Sequence, residues 1–228
     1  MDASPTPVVR RGRPPRGTST LSRTAVVEAT LRVSDADGIA AVSMRSVARE
    51  LGVDPKSLYN HVHDKEDLLD AIAEHVLGGL DFPPATGDLA TDLRAIAHGF
   101  RERALLHPEA AYLVLTRPLG SLEALAPVEA VLGVLHRAGF AAPESVHLLR
   151  SLLATVVGTL LREVSAGPTY GSADEAVVAD RQAVLGSSGL PSVAAAAADL
   201  ARFDREQEFS FTVDLAIEAV ANRVPTQR

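Results

Sequence analysis

Apolar positions recur at helical spacing along most of the chain, and no stretch alternates convincingly with the period of two that a half-buried strand needs. Ser22 suits an N-cap, and Val26, Val27, Ala29, Leu31 and Val33 form the stripe of a first helix that ends at Gly38. Ser43 caps a short second helix, with Val47, Ala48 and Leu51 inward and Gly52 closing it. Asp54 and Pro55 open a third helix, an N-cap followed by proline at the first helical position, which runs to about Val62. Asp64 caps a fourth, with acids in its first turn and Leu68, Leu69, Ile72, Val76 and Leu77 at helical spacing. Residues 81–87 (DFPPATG) read as a linker. Beyond it the pattern predicts helices over about 88–106, 109–115, 121–138, 144–165, 191–202 and 204–223. Residues 167–190, rich in Gly and Ser around a weakly helical centre, are expected to be mobile. The fold class is all-α, with about nine or ten helices.

Composition narrows the chemistry. With 46% hydrophobic and 4% aromatic residues in 228, the core is one of Leu, Val and Ala, and wholesale disorder is excluded. The absence of Cys removes disulfides, thiolate zinc sites and a Cys nucleophile. The longest uncharged apolar stretch, between Arg150 and Arg162, falls short of the roughly 20 residues of a membrane span. No apolar signal region opens the chain, so a cytoplasmic protein without a membrane partner is expected. His98, His107, His136 and His147 lack metal-ligand spacing, and no serine stands in a nucleophile motif. Neither a metal, nor a cofactor, nor an enzymatic activity is expected.

The net charge of -7 conceals an asymmetry: residues 1–65 hold 10 Lys and Arg against 7 Asp and Glu, whereas residues 66–228 hold 12 against 22. A basic module that meets an anion is thus joined to an acidic body that does not. Residues 1–20 read as a disordered basic arm, residues 21–66 as the basic module and residues 67–228 as the body. Within the arm, Arg11 and Arg13 belong to an Arg-Gly-Arg-Pro sequence, the core of an AT-hook, which Arg10 precedes. Such a segment either runs its guanidiniums along the floor of a narrow A·T minor groove or adds affinity as a solvated polycation.

The second and third helices, joined over Gly52-Val53-Asp54, have the grammar of a helix-turn-helix: two short helices, a tight turn with Gly, and small Ala48 where they approach. The third helix offers Lys56, Ser57, Tyr59, Asn60 and His61 outward, the donors, acceptors and flat rings that phosphates and base edges require. Tyr59 alternatively packs on the first helix, and Ser43 serves as a cap, a phosphate contact or both.

From Leu21 to about Leu77 the chain resembles the DNA-binding domain of the tetracycline-repressor (TetR) family, through LSRTAVVEATL, Gly38-Ile39, SMRSVARELGV, SLYNHVHDK and DLLDAI. The order Leu58-Tyr59-x-His61-Val62-x-x-Lys65 is its most specific part. The resemblance implies a three-helix DNA-binding domain followed by a larger helical regulatory and dimerisation domain. It places operator-reading positions at Arg45, Pro55, Lys56, Ser57, Tyr59, Asn60 and His61, with Lys65 at the DNA backbone. Asn60 stands where the family often has an aromatic residue.

More faintly, Thr116-Arg117-Pro118, Gly139-Phe140 and the helix around Gly158 resemble the tetracycline-repressor subgroup. That subgroup's tetracycline–magnesium site does not carry over, because Leu113 and Arg162 occupy its His and Glu positions. Candidates for an effector pocket are His98, Phe100, Leu113, Arg117, Leu135, Thr155 and Thr159, with Arg117 either lining the pocket or capping a carbonyl. The expected function is a ligand-responsive regulator, a repressor that binds a palindromic double-stranded operator as a homodimer and is released by a small-molecule inducer. The alternative is a helical small-molecule carrier or enzyme with a vestigial DNA-binding domain. An inert third helix, however, need not keep Arg45, Lys56, Tyr59, His61 and Lys65 together.

Overall fold

The computed structural model describes residues 21–117, 122–166 and 171–225. Among these residues there are twelve α-helices and no strand beyond an isolated bridge between Ser172 and Arg202. Helix α1 (Arg23–Asp37) begins where the Ser22 side chain accepts the Ala25 amide and ends at Gly38, whose φ of 82° suits glycine alone. Helices α2 (Met44–Leu51) and α3 (Pro55–Leu58) follow, and α1 packs on α2 and on α4 (Lys65–Gly78). The third helix is shorter than its sequence pattern predicts. It closes at Leu58, and its carbonyl takes the amides of both His61 and Val62 in a final turn that drops Val62 into the core.

Helix α4 leaves this unit and packs on α6 (Pro108–Thr116). Helices α5 (Leu89–Leu106), α7 (Ala126–Arg137), α8 (Ala142–Leu161) and α12 (Arg205–Ala221) contact one another in a closed ring, α5 on α7, α7 on α8, α8 on α12 and α12 on α5. One contiguous apolar core runs from Val26 in α1 to Val220 in α12. The segment Ala142–Val164, 23 residues, is long and apolar enough to cross a membrane by length and composition, although charged residues such as Arg150 interrupt it. In the fold it is packed between α7 and α12.

The stretch expected to be mobile is helical over α9 (Glu175–Gly186). Asp174 caps it, Arg181 donates to the Gly171 carbonyl, and Val178 is buried. The predicted helix over 191–202 is broken at Ala196 into α10 (Pro191–Ala195) and α11 (Ala197–Ala201). Ala197 and Ala201 are buried where α11 packs on α9, so the alanine run supplies close approach rather than bulk.

Candidate nucleic-acid interface and effector cavities

The turn between α2 and α3 is built from short-range hydrogen bonds. Ser43 and Ser46 cap each other reciprocally, side chain to amide in both directions, so the Ser43 hydroxyl is engaged in the cap. Gly52 adopts the left-handed conformation at φ 67°, and the Val53 amide returns to the Ala48 carbonyl at 3.0 Å. Asp54 accepts the Lys56 amide at 2.8 Å and leads into Pro55. Val47, Ala48, Leu58 and Val62 are buried behind the turn.

With the apolar side so anchored, Arg45, Lys56, Tyr59, Asn60 and Lys65 are exposed, and Pro55, Ser57 and His61 are half-buried. The Tyr59 ring is 55% exposed, so it is not spent on packing against α1. Arg23 ties the reader's end to α1 and α4, donating to the His61 carbonyl at 2.9 Å and to Asp67 at 3.0 Å. Arg10, Arg11 and Arg13 lie outside the described residues.

Burial pushes the Asp67 carboxyl up, but the hydrogen bonds from Arg23 and the His63 amide, with the charges of Arg23 and His63, outweigh it and hold its pKa below 3.8. A carboxyl depressed by folding adds stability above its unfolded pKa and loses it as pH falls through the folded one. Replacing Asp67 with Asn should therefore flatten the acid limb of stability below about pH 4. An unchanged limb in a urea titration series would contradict this clamp.

Helix α4 is held from both ends. Arg117, at the C-terminal end of α6, forms ion pairs with Glu66 and Asp70 on the first turns of α4. At the other end Arg103 of α5 donates to the carbonyls of Val76 (2.9 Å) and His75 (3.3 Å), capping α4. Its guanidinium lies against Gly79, where any β-carbon would overlap it. Burial first, and the Arg103 charge second, push the His75 imidazole below 6.5. Arg103→Ala should thus remove the cap, at about 1.5–3 kcal/mol for charge-assisted bonds, whereas Gly79→Ala, which displaces only the end of a flexible side chain, should cost less. The double variant should cost little more than Arg103→Ala alone, and full additivity in a double-mutant cycle would contradict the shared cap. A third tie, His107 Nδ1 to Asp35 at 2.8 Å, links the α5–α6 corner to α1.

Among the described residues, two of the cavities in the helical body adjoin α5 and α7. The deeper, about 70 Å³, lies inside the ring of α5, α7, α8 and α12, lined by Leu93, Phe100, Val131, Val156 and Ile217 among others; Thr155 is its one polar lining residue, and its hydroxyl donates to the Ser151 carbonyl. The outer, about 370 Å³, lies under the α4–α5 linker against α5 and α7. Its roof, Phe82 to Thr86, is hung from Asp92, which accepts the Thr86 amide (2.8 Å), the Thr86 hydroxyl (2.7 Å) and the Gly87 amide (3.3 Å). The Thr86 bonds are the main cause of a lowered Asp92 pKa, so this buried carboxylate stays charged.

Of the candidate effector residues, Phe100 and Thr155 line the deeper cavity. The others sit elsewhere. Leu113 and Leu135 are buried in the core, Arg117 pairs with α4, and Thr159 donates to the Thr155 carbonyl. His98 packs edge-on against Phe209 at 5.2 Å, with Glu206 at 3.8 Å. Most of the lining comes instead from aliphatic positions such as Leu93, Ile96 and Val131, which carry no chemical signature to separate them from ordinary core. Among the described residues no cluster of His, Asp and Glu is arranged to hold a metal. A groove of about 650 Å³ also runs between α8 and α12, past His147, Ser151, Thr155, Ala216, Ala219 and Arg223.

Two family models match the chain. Residues 26–72 match the tetR family of bacterial regulatory proteins, and residues 83–224 match the tetracyclin repressor-like C-terminal domain. The chain belongs to the TetR family. An HTH-type transcriptional regulator of Saccharopolyspora erythraea is 34% identical over 157 residues, 68% of this chain. The chain spans 65% of that relative's length, just under two thirds. The class A tetracycline repressor protein from transposon 1721 of Escherichia coli is 31% identical over 159 residues, covering 66% of this chain and 73% of the repressor. The Streptomyces coelicolor TetR family protein ActR, in complex with actinorhodin, superposes with a TM-score of 0.78 at 23% identity, covering 91% of this TetR-family chain and 100% of its own. That likeness is one of fold. The two matched regions leave 73–82 between them, the end of α4 and the start of the linker, so the TetR boundary falls along the helix that Arg103 and Arg117 hold.

Proposed function

We propose that this TetR-family protein is a cytoplasmic, ligand-responsive transcriptional repressor, which binds a two-fold operator as a homodimer and is released by a small-molecule effector. One observation carries the reading: Arg45, Lys56, Tyr59, Asn60 and Lys65 all remain exposed around a helix-turn-helix whose other side is locked into the core. Two such readers in a dimer would enter successive major grooves. Residues 1–66 read the DNA in this scheme, and residues 67–228 bind the effector and the second copy. The groove between α8 and α12, flanked by exposed Leu153, Phe211 and Leu215, supports the pairing surface. An obligate interface there would bury about 2,000 Å² or more.

The basic arm joins α1 where Arg23 meets the His61 carbonyl, beside the reader, which favours a role for Arg10, Arg11 and Arg13 on flanking DNA. Helix α4 supports the coupling route, since Arg117 and Arg103 tie it to both α6 and α5. An effector acts only through unequal affinity for the two arrangements of that helix.

Selection of bound sequences from random duplex DNA, followed by a salt series on the winner, tests the reading. A repressor of this kind gives a palindrome and a log-linear loss of affinity with salt. On that operator Asn60→Ala should cost about 1–3 kcal/mol at one base position, with little change on random DNA. Equal weakening on all sequences would make Asn60 a phosphate contact or a structural residue.

A further inference from the structure

Ile96 lines both of these cavities of the helical body and is 9% exposed. On one side lies the deep apolar space between α5, α7, α8 and α12, and on the other the larger space beneath the Phe82–Thr86 roof. At about 70 Å³ the deep space is too small for a drug-sized molecule, whose sites run to several hundred cubic ångströms. The outer space, about 370 Å³, is large enough, and its mostly apolar walls include Thr91, Asp92, Glu129 and Arg137. Ala95 and Ala130 line the outer space and Ala97 the deep one, so the residues next to Ile96 on both sides are small.

We infer that the two cavities are one effector chamber partitioned by Ile96, and that it takes an uncharged amphipathic molecule, an apolar body with a hydroxyl, carbonyl or amine at one end. The inference rests on the reading of residues 67–228 as an effector domain. The body enters the deep end, where apolar carbon alone meets it, the Thr155 hydroxyl being donated to the Ser151 carbonyl at 2.9 Å. A charged group there would have no partner and is excluded by desolvation. The polar end stays under the roof. Asp92 is already engaged by Thr86 and Gly87 and pairs with Arg137 at 3.7 Å, which leaves Glu129 and the remaining N–H groups of Arg137 as partners for it. Because the roof continues into the linker from α4, a molecule lodged across Ile96 pushes on the segment that follows the reader's helix. The size of residue 96 then sets which bodies reach the deep end.

The probe is N-phenyl-1-naphthylamine, uncharged, with an apolar body and one N–H, titrated by its fluorescence into the full-length protein. Ile96→Ala should tighten its binding about tenfold. Val156→Phe, which narrows only the deep end, and Gly133→Leu, which narrows only the outer end, should each weaken it about tenfold. Thermal melting and DNA binding confirm that each variant is folded. The analogue with the same body and a sulfonate, 1-anilinonaphthalene-8-sulfonate, should bind more weakly. If only one of the two narrowing variants weakens binding, the cavities are separate and the composite chamber is overturned. Failure of both the natural protein and Ile96→Ala to bind the probe overturns it as well, and tighter binding of the sulfonate overturns the uncharged class. DNA binding with a log-linear salt dependence is scored separately, so loss of the regulator reading and loss of the chamber are told apart.

Discussion

Truncating Phe209 to alanine should lower the stability of the folded chain by about 3–5 kcal/mol, as large aromatic deletions in close-packed cores do. Phe209 sits in the first half of α12, fully buried, and it is the largest of the side chains sealed from solvent. Its ring takes the edge of His98 at 5.2 Å and lies beneath the Arg101 guanidinium at 5.1 Å, both from α5. Removal opens a void where α12 meets α5 and strips the cation of its aromatic face, so transfer, cavity and cation–π losses add. Urea denaturation reads this directly: the midpoint should fall while the slope holds. A loss below about 1 kcal/mol would mean that the site collapses around the alanine, or that α12 is not seated on α5 here.

The sequence makes the reader legible because its determinants are local. Ser22, Ser43, Asp54 and Asp64 each bond an amide two or three residues on, and Gly38 and Gly52 close helices in conformations that glycine alone takes easily. Such contacts depend on spacing along the chain, which a sequence displays. The helical body is legible in outline for the same reason, through apolar periodicity in α5, α8 and α12. What escapes is non-local or chemically quiet. Nothing in the spacing of Gly79 and Arg103, or of Arg117, Glu66 and Asp70, announces that they meet. Helix α9 is hidden because its packing rests on one valine and a run of alanines rather than on a stripe of large residues. The cavity lining is hidden because Leu93, Ile96 and Val131 differ from core only in having empty space beside them, a property of several helices at once.

Those non-local contacts also decide how the body could speak to the reader. Helix α4 carries no cavity-lining residue of its own, yet α5 lines both cavities and caps α4 through Arg103. Under the proposed reading, the signal from a ligand would have a short path: a shift of α5 would move the cap, and the linker that roofs the outer cavity would pull the same end of α4. Arg117 resists at the opposite end, where Glu66 and Asp70 lie close to the turn that follows the third helix. Two anchors on different helices give α4 the means to pivot rather than merely slide.

The second large effect is expected at the neighbouring ion pair. Arg101 holds Glu163 bidentately, Nε to one oxygen at 3.0 Å and a terminal nitrogen to the other at 2.8 Å, and also pairs with Glu206. The Arg101 and Glu163 side chains are only 12% and 8% exposed. The Glu163 hydrogen bond, against the opposing effect of burial, raises the guanidinium pKa above its ordinary value, so Arg101 is charged at every working pH. Arg101→Ala should cost about 3–5 kcal/mol, because it leaves the Glu163 carboxylate desolvated without a partner. Replacing both partners, Arg101→Met with Glu163→Leu, should be nearly neutral, since two buried charges and their desolvation vanish together. The contrast matters more than either value. Glu163 lies in the π-helical turn Arg162–Ala166 that ends α8, and the pair fixes that turn against α5 and the start of α12. If the pair serves orientation, the double variant keeps its stability but gains heterogeneity there, read as faster amide exchange over 160–166 and altered binding of the fluorescent probe. If the double variant is as unstable as Arg101→Ala, the pair contributes net attraction, and its role in orientation is refuted.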